Sequence, residues 1–130
     1  MSHGKFGTAI SCIDGRVQLP VIDWMKKQFH LEYVDMVTEP GPDKIMAVGQ
    51  GQEIASIKSK VIISVKAHGS NILVIAGHYD CAGNPVAEEQ HRIQIKDAIQ
   101  VVRNWNLPLD KLIGVWVNKD WEIEVVDSLK

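Results

Sequence analysis

The sequence predicts a three-layer α/β fold: a mainly parallel sheet in the order 2-1-3-4 with a C-terminal antiparallel edge strand. Three observations predict it. Short apolar runs alternate with stretches of helical spacing along the whole chain. The run Ile72-Leu-Val-Ile75 is continuously apolar, as a strand covered on both faces should be. Near the C-terminus Trp121-Glu-Ile-Glu-Val125 alternates, as an edge strand with one wet face would.

The elements follow in order. Thr8 to Ile13 reads as a first strand, ended by the turn dipeptide Asp14-Gly15. Pro20 suits the first turn of a helix, with Val21, Ile22, Met25 and Phe29 recurring at helical spacing. Tyr33 to Val37 is a second strand. A loop rich in breakers follows, Glu39-Pro-Gly-Pro-Asp43 and then Gly49-Gln-Gly-Gln52. Ile54, Ile57, Val61 and Val65 form one face of a second helix, closed by His68 and a C-cap at Gly69. The third strand spans Asn71 to Ala76 and leads into the polar loop Gly77 to Asn84. A third helix covers about Ala87 to Trp105. Leu112 to Val117 is the fourth strand, and Asn118-Lys-Asp120 turns the chain back into the edge strand.

At 130 residues the chain is long enough for one domain, spanning residues 1–130, and too short for two. Fourteen basic against sixteen acidic side chains leave no basic surplus, which argues against a nucleic-acid partner. The longest apolar run, Ile72 to Gly77, is far short of a bilayer span, and the N-terminus lacks the apolar core of a secretory signal. These features predict a cytoplasmic protein without a membrane partner. Gly49-Gln-Gly-Gln52 lacks the Lys-Ser/Thr of a phosphate-binding loop, and no Gly-x-Gly-x-x-Gly follows the first strand.

Two cysteines, Cys12 and Cys81, lie far apart in a chain with no sign of export. A structural disulfide is disfavoured by that compartment, leaving buried thiol, catalytic thiol or metal ligand. With strand order 2-1-3-4, the carboxyl ends of strands 1 and 3 meet at the topological switch point. Cys12 ends the first strand, and His78 and Cys81 follow the third. Two thiolates and an imidazole are a natural zinc set, and three protein ligands leave a fourth position for water. His-x-x-Cys alone is a weak signal. The bland readings are two buried thiols, a loop histidine, a turn aspartate capping the next helix, and a solvated arginine.

Cys12-Ile-Asp14-Gly-Arg16 together with His78-Tyr-Asp-Cys81 resembles the β-class carbonic anhydrases, whose signatures are Cys-x-Asp-x-Arg and His-x-x-Cys in that order. The resemblance implies Zn²⁺ held by Cys12, His78 and Cys81, with Asp14 and Arg16 as a catalytic dyad. In that family the aspartate accepts a hydrogen bond from zinc-bound water or hydroxide, and the arginine holds the aspartate away from the metal. The implied activity is reversible hydration of carbon dioxide to bicarbonate by zinc hydroxide, as a homodimer or larger homo-oligomer. Two alternatives remain: hydrolysis of carbonyl sulfide or carbon disulfide at the same site, and a non-catalytic zinc protein closed by Asp14.

The chain departs from the family in several places. It begins almost at the first strand, and His3 stands roughly where relatives carry a glutamine. The Arg-Asn-Ala-Gly-like segment after the second strand is replaced by residues 39–52, and Ala82 stands between Cys81 and Gly83. His3, His30, His68 and His91 read as structural or solvent-facing. His68 suits a helix C-terminus, where an imidazolium is favoured.

Overall fold

The computed structural model describes residues 4–129, so the reading of His3 lies outside the described residues. The chain runs β1 (Phe6–Cys12), α1 (Gly15–Phe29), β2 (Tyr33–Glu39), α2 (Pro42–Val48), α3 (Gln52–His68), β3 (Ile72–His78), α4 (Glu88–Arg103), β4 (Lys111–Val117) and β5 (Ile123–Leu129). The sheet order is β2-β1-β3-β4-β5. Its first four strands are parallel, and β5 is antiparallel to β4. The expected architecture is therefore the observed one.

Periodicity explains which face each helix covers. Val17, Val21 and Met25 of α1 pack on Ala9, Val74, Val115 and Val117. On the opposite face Met46 of α2, Ile57 and Val61 of α3, and Ile99 and Val102 of α4 close over Ile10, Leu73 and Ile75. Every residue of β3 is buried, which accounts for its unbroken apolar run. Ile10, Ile57, Leu73, Ile75 and Ile99 are fully buried, and truncating any one of them to alanine should cost about 2–5 kcal/mol.

The structure corrects three local expectations, each near the strand ends that matter most. The breaker-rich loop contains a helix, α2. Gly41 and Gly49, both in the left-handed region at φ +59° and +83°, bracket it, and Pro42 occupies its first turn. What reads as breakage is punctuation at the two ends of a short helix. Second, α1 starts at Gly15, five residues before Pro20. The Asp14 side chain caps it by accepting the Arg16 backbone N–H. Pro20 thus sits inside the helix, lacking the N–H that would reach the Arg16 carbonyl. Third, β5 begins at Ile123, so Trp121 lies in the turn at φ +61° instead of in a strand.

The β1–β3 ladder pairs only Thr8 to Ile10 with Leu73 to Ile75. Beyond it the two strands run on to Cys12 and His78 paired to β2 and β4 but not to each other, which leaves a crevice between their carboxyl ends at the switch point.

The peripheral histidines have structural partners. His30 closes α1 in the left-handed conformation. His68 ends α3, where its Nδ1 lies 2.6 Å from the Asp35 carboxylate and its ring stacks on Phe6.

Candidate metal centre

The crevice gathers three of the five residues singled out from the sequence. One ligand atom each of Cys12, His78 and Cys81 lies within 4.8 Å of the others, and all three residues are buried. The two sulfurs are 3.9 Å apart. Two thiolates about 2.3 Å from a tetrahedral zinc ion stand about 3.8 Å apart, so the spacing suits that ion.

His78 is prepared for the same task. Its Nδ1 donates to the Tyr79 carbonyl oxygen at 2.7 Å, which leaves the Nε2 lone pair unprotonated in the neutral ring. Nε2 is buried and makes no hydrogen bond. A buried, unpartnered nitrogen is costly unless something coordinates it. The donor set and this orphaned atom together fit a zinc ion.

The two thiols titrate as a pair. A hydrogen bond from Cys81 pulls Cys12 well below the usual thiol range against the opposing effect of burial, aided by His78 and by backbone at Gly41 and Asp14. Cys81 is pushed up correspondingly, first by its bond to Cys12 and then by burial. The couple therefore retains one proton, which a divalent cation would displace. For His78, burial acts downward, but contact with the Cys12 sulfur and the Tyr79 carbonyl leaves it raised.

The other two residues form a tight unit beside the cluster. Arg16 donates to Asp14 from its backbone N at 2.9 Å, from Nε at 3.0 Å and from Nη2 at 2.6 Å. The Arg16 side chain, opposed by partial desolvation, lowers the Asp14 carboxyl to about 2. Arg16 is raised in turn, by Asp14 first and Asp80 second. The Asp14 carboxylate is thus turned towards Arg16 and is not among the atoms that cluster with the two sulfurs and the imidazole. One carboxylate thus serves the backbone and the side chain of Arg16 at once, capping α1 and pairing with the guanidinium.

Three further residues support the dyad. Asp80, in the left-handed region at φ +58°, accepts Arg16 Nη1 on its carboxylate and Nη2 on its carbonyl. Trp121 places its ring beneath the Arg16 guanidinium. Gln18, one turn into α1, donates to the Cys12 carbonyl at 2.7 Å. Asp80 stands inside the His-x-x-Cys motif, where its place between two candidate ligands marks it in the sequence as a pocket residue, though spacing does not reveal its bonds to Arg16. Trp121 and Gln18 give no local signal, since their roles depend on where the hairpin and the helix dock.

A parallel sheet with soft donors and an Asp–Arg pair at its switch point defines a β-carbonic-anhydrase type of architecture, and comparison with known proteins agrees. The family model described as "Putative carbonic anhydrase" matches residues 2–127. The chain belongs to that family. No curated protein matches the sequence. Among solved structures, the carbonic anhydrase of Glaciozyma antarctica is similar at a TM-score of 0.60 and 15% identity, over 92% of this chain and 81% of that one. A tetrameric β-carbonic anhydrase of Sordaria macrospora gives 0.63 at 11% identity, covering 100% and 84%. A carbon disulfide hydrolase gives 0.62 at 10% identity, covering 95% and 79%. At such identities the likeness is one of fold.

Proposed function

We propose that residues 1–130 act as one zinc-dependent domain that hydrates carbon dioxide reversibly to bicarbonate and a proton. Cys12, His78 and Cys81 would hold the ion; bound there, zinc acidifies water and supplies a nucleophile near neutral pH. The observation that carries the reading is the commitment of Asp14 to Arg16 instead of to the donor cluster, which leaves three protein donors and a fourth position for water.

The chain's own residues have distinct parts. Arg16 places its backbone N–H and Nε on Asp14 Oδ1 and Nη2 on Oδ2, with Nε also reaching Oδ2 at a longer 3.3 Å. An O–H of water taking the place of that long Nε contact on Oδ2 would leave a water lone pair for the carbon of the substrate. Because Asp14 is ionised far below neutral pH, it accepts that bond over the whole physiological range. Asp80 and Trp121 hold Arg16 in place. The test is stopped-flow hydration of carbon dioxide by zinc-loaded protein against a Cys12→Ser control. Turnover in the wild type alone supports the reading, and its absence at full zinc occupancy defeats it.

A second reading keeps the donors and changes the substrate to carbon disulfide or carbonyl sulfide. It is favoured by the fold shared with a carbon disulfide hydrolase and by residues 39–52, where the chain departs from the usual family pattern. Assaying both substrate classes on one preparation separates the two. Zinc held without either activity would leave a purely structural role.

We also infer a homo-oligomer. A structural neighbour is described as tetrameric. Here α1 alone covers its face of the sheet, leaving Trp24 and Phe29 only partly buried and Val125 exposed. Sedimentation at tens of micromolar should show a dimer or larger species, and a clean monomer would exclude it. Among the described residues no helix is long and apolar enough to cross a membrane. We assign the cytoplasm, where thiols stay reduced and so can serve as metal donors.

A further inference from the structure

We propose that Asp43, acting through Asn84 and His91, is a positioning residue that sets the geometry of all three metal donors. The inference rests on the zinc reading above. It gives a task to residues 39–52, a segment in which this chain departs from the usual family pattern.

Asp43 is wholly buried in the first turn of α2, and each of its oxygens is engaged. Oδ1 accepts the Asn84 amide at 3.0 Å and the Lys44 backbone N–H at 3.1 Å. Oδ2 accepts His91 Nδ1 of α4 at 2.5 Å. The second N–H of the Asn84 amide goes to Gln94 at 2.6 Å, so the orientation of that amide is determined by two acceptors. His91 is itself buried and packs against the Trp116 ring. A hydrogen-bonded acid, amide and imidazole sealed from water hold one arrangement firmly, because every alternative strands a buried polar group.

The network bears on each donor by a separate route. Asn84 closes the turn after Cys81, donating its backbone N–H to the Cys81 carbonyl at 3.3 Å. Gly77, immediately before His78, lies so close that an added Cβ would stand 2.5 Å from Asp43 Oδ2. Gly41, two residues before Asp43, closely follows Glu39, the partner of Cys12 in the β1–β2 ladder. Gly41 also presses on Gly83: a Cβ there would come within 2.7 Å of the Gly83 carbonyl carbon. One buried carboxylate thus registers α2, α4 and the Cys81 loop against the ends of β1 and β3.

The test is zinc affinity, measured by competition with a chromophoric chelator, together with the thiolate-to-metal charge-transfer spectrum of the cobalt(II)-substituted protein. Asp43→Ala and Asn84→Ala should weaken zinc binding by about 10- to 100-fold and shift or broaden the cobalt bands. Asn84→Ala leaves the Asp43–His91 bond intact, so it carries the test if Asp43→Ala does not fold. Asp43→Asn keeps the Oδ1 acceptor and can donate to the other tautomer of His91. It should bind within a few-fold of the wild type.

Folded alanine variants with unchanged affinity and an unchanged cobalt spectrum would overturn the proposal. So would an Asp43→Asn variant as impaired as Asp43→Ala. If the wild type itself shows no thiolate band with cobalt, the zinc reading fails and this inference falls with it. A normal wild-type band with indifferent variants removes the inference alone.

Discussion

The guanidinium carbon of Arg16 lies 4.8 Å from the centre of the Trp121 ring, so the β4–β5 turn carries one wall of the Asp14–Arg16 dyad. An arginine ending on a lone surface carboxylate is mobile, and such exposed pairs contribute little. This one is held on three sides, by Asp14, by Asp80 and by the indole face.

Trp121→Ala should therefore lower turnover several-fold without loss of zinc, because Arg16 gains freedom while no donor is touched. Metal analysis and a hydration assay on the same sample check this. Wild-type turnover in the variant would show that Asp14 and Asp80 hold Arg16 unaided.

Arg16→Ala goes further. It releases Asp14 to swing towards the cation, and loss of such supporting partners typically costs about 10–100-fold in activity or affinity. The expected signature is full zinc content, a cooperative unfolding transition and greatly reduced hydration. Unimpaired turnover would leave Asp14 the role of helix cap, which the variant's backbone N–H still satisfies.

Cys12→Ser removes a thiolate donor and should lose zinc, thermal stability and activity together, since metal binding is coupled to folding. Chelation of the wild type should reproduce the lower unfolding temperature. A Cys12→Ser protein retaining one zinc per chain would place the ion elsewhere.

A pH dependence follows from Asp14, whose carboxyl is lowered to about 2 by Arg16. Its folded value is below its unfolded one, so its stabilisation is complete above about pH 4 and is lost as pH falls towards 2. Asp14→Asn should lower the unfolding temperature at pH 6, and the difference should narrow steadily as pH falls from about 4 towards 2. Scans in chelator remove the separate effect of protons competing for the metal donors. Because asparagine still caps the helix, a constant gap across that range would show that the difference does not come from the carboxylate's charge.

Much of this was legible in the residues. Cys12, Asp14, Arg16, His78 and Cys81 could be chosen from two short motifs because each motif lies at a strand end. The parallel order placed those ends together. The helix α2 was misread because Pro-Gly-Pro and Gly-Gln-Gly are ambiguous locally. The same residues that interrupt a chain also begin and end a short helix, and only packing decides between the two. Trp121 was assigned to a strand for a similar reason, since alternation does not reveal where a hairpin turn closes.

By itself, then, the order of apolar runs determined the layers and the sheet, because periodicity dictates which faces must be buried. The spacing of two cysteines, a histidine and an Asp-x-Arg pair determined which donors could meet. Tertiary structure alone decided what surrounds them. Asp43 and His91 are 48 positions apart in the chain and 2.5 Å apart in space. Trp121 reaches Arg16 only because β5 folds back across β4. Contacts of that kind depend on how finished elements dock, and a helix or strand pattern read one segment at a time contains no term for docking.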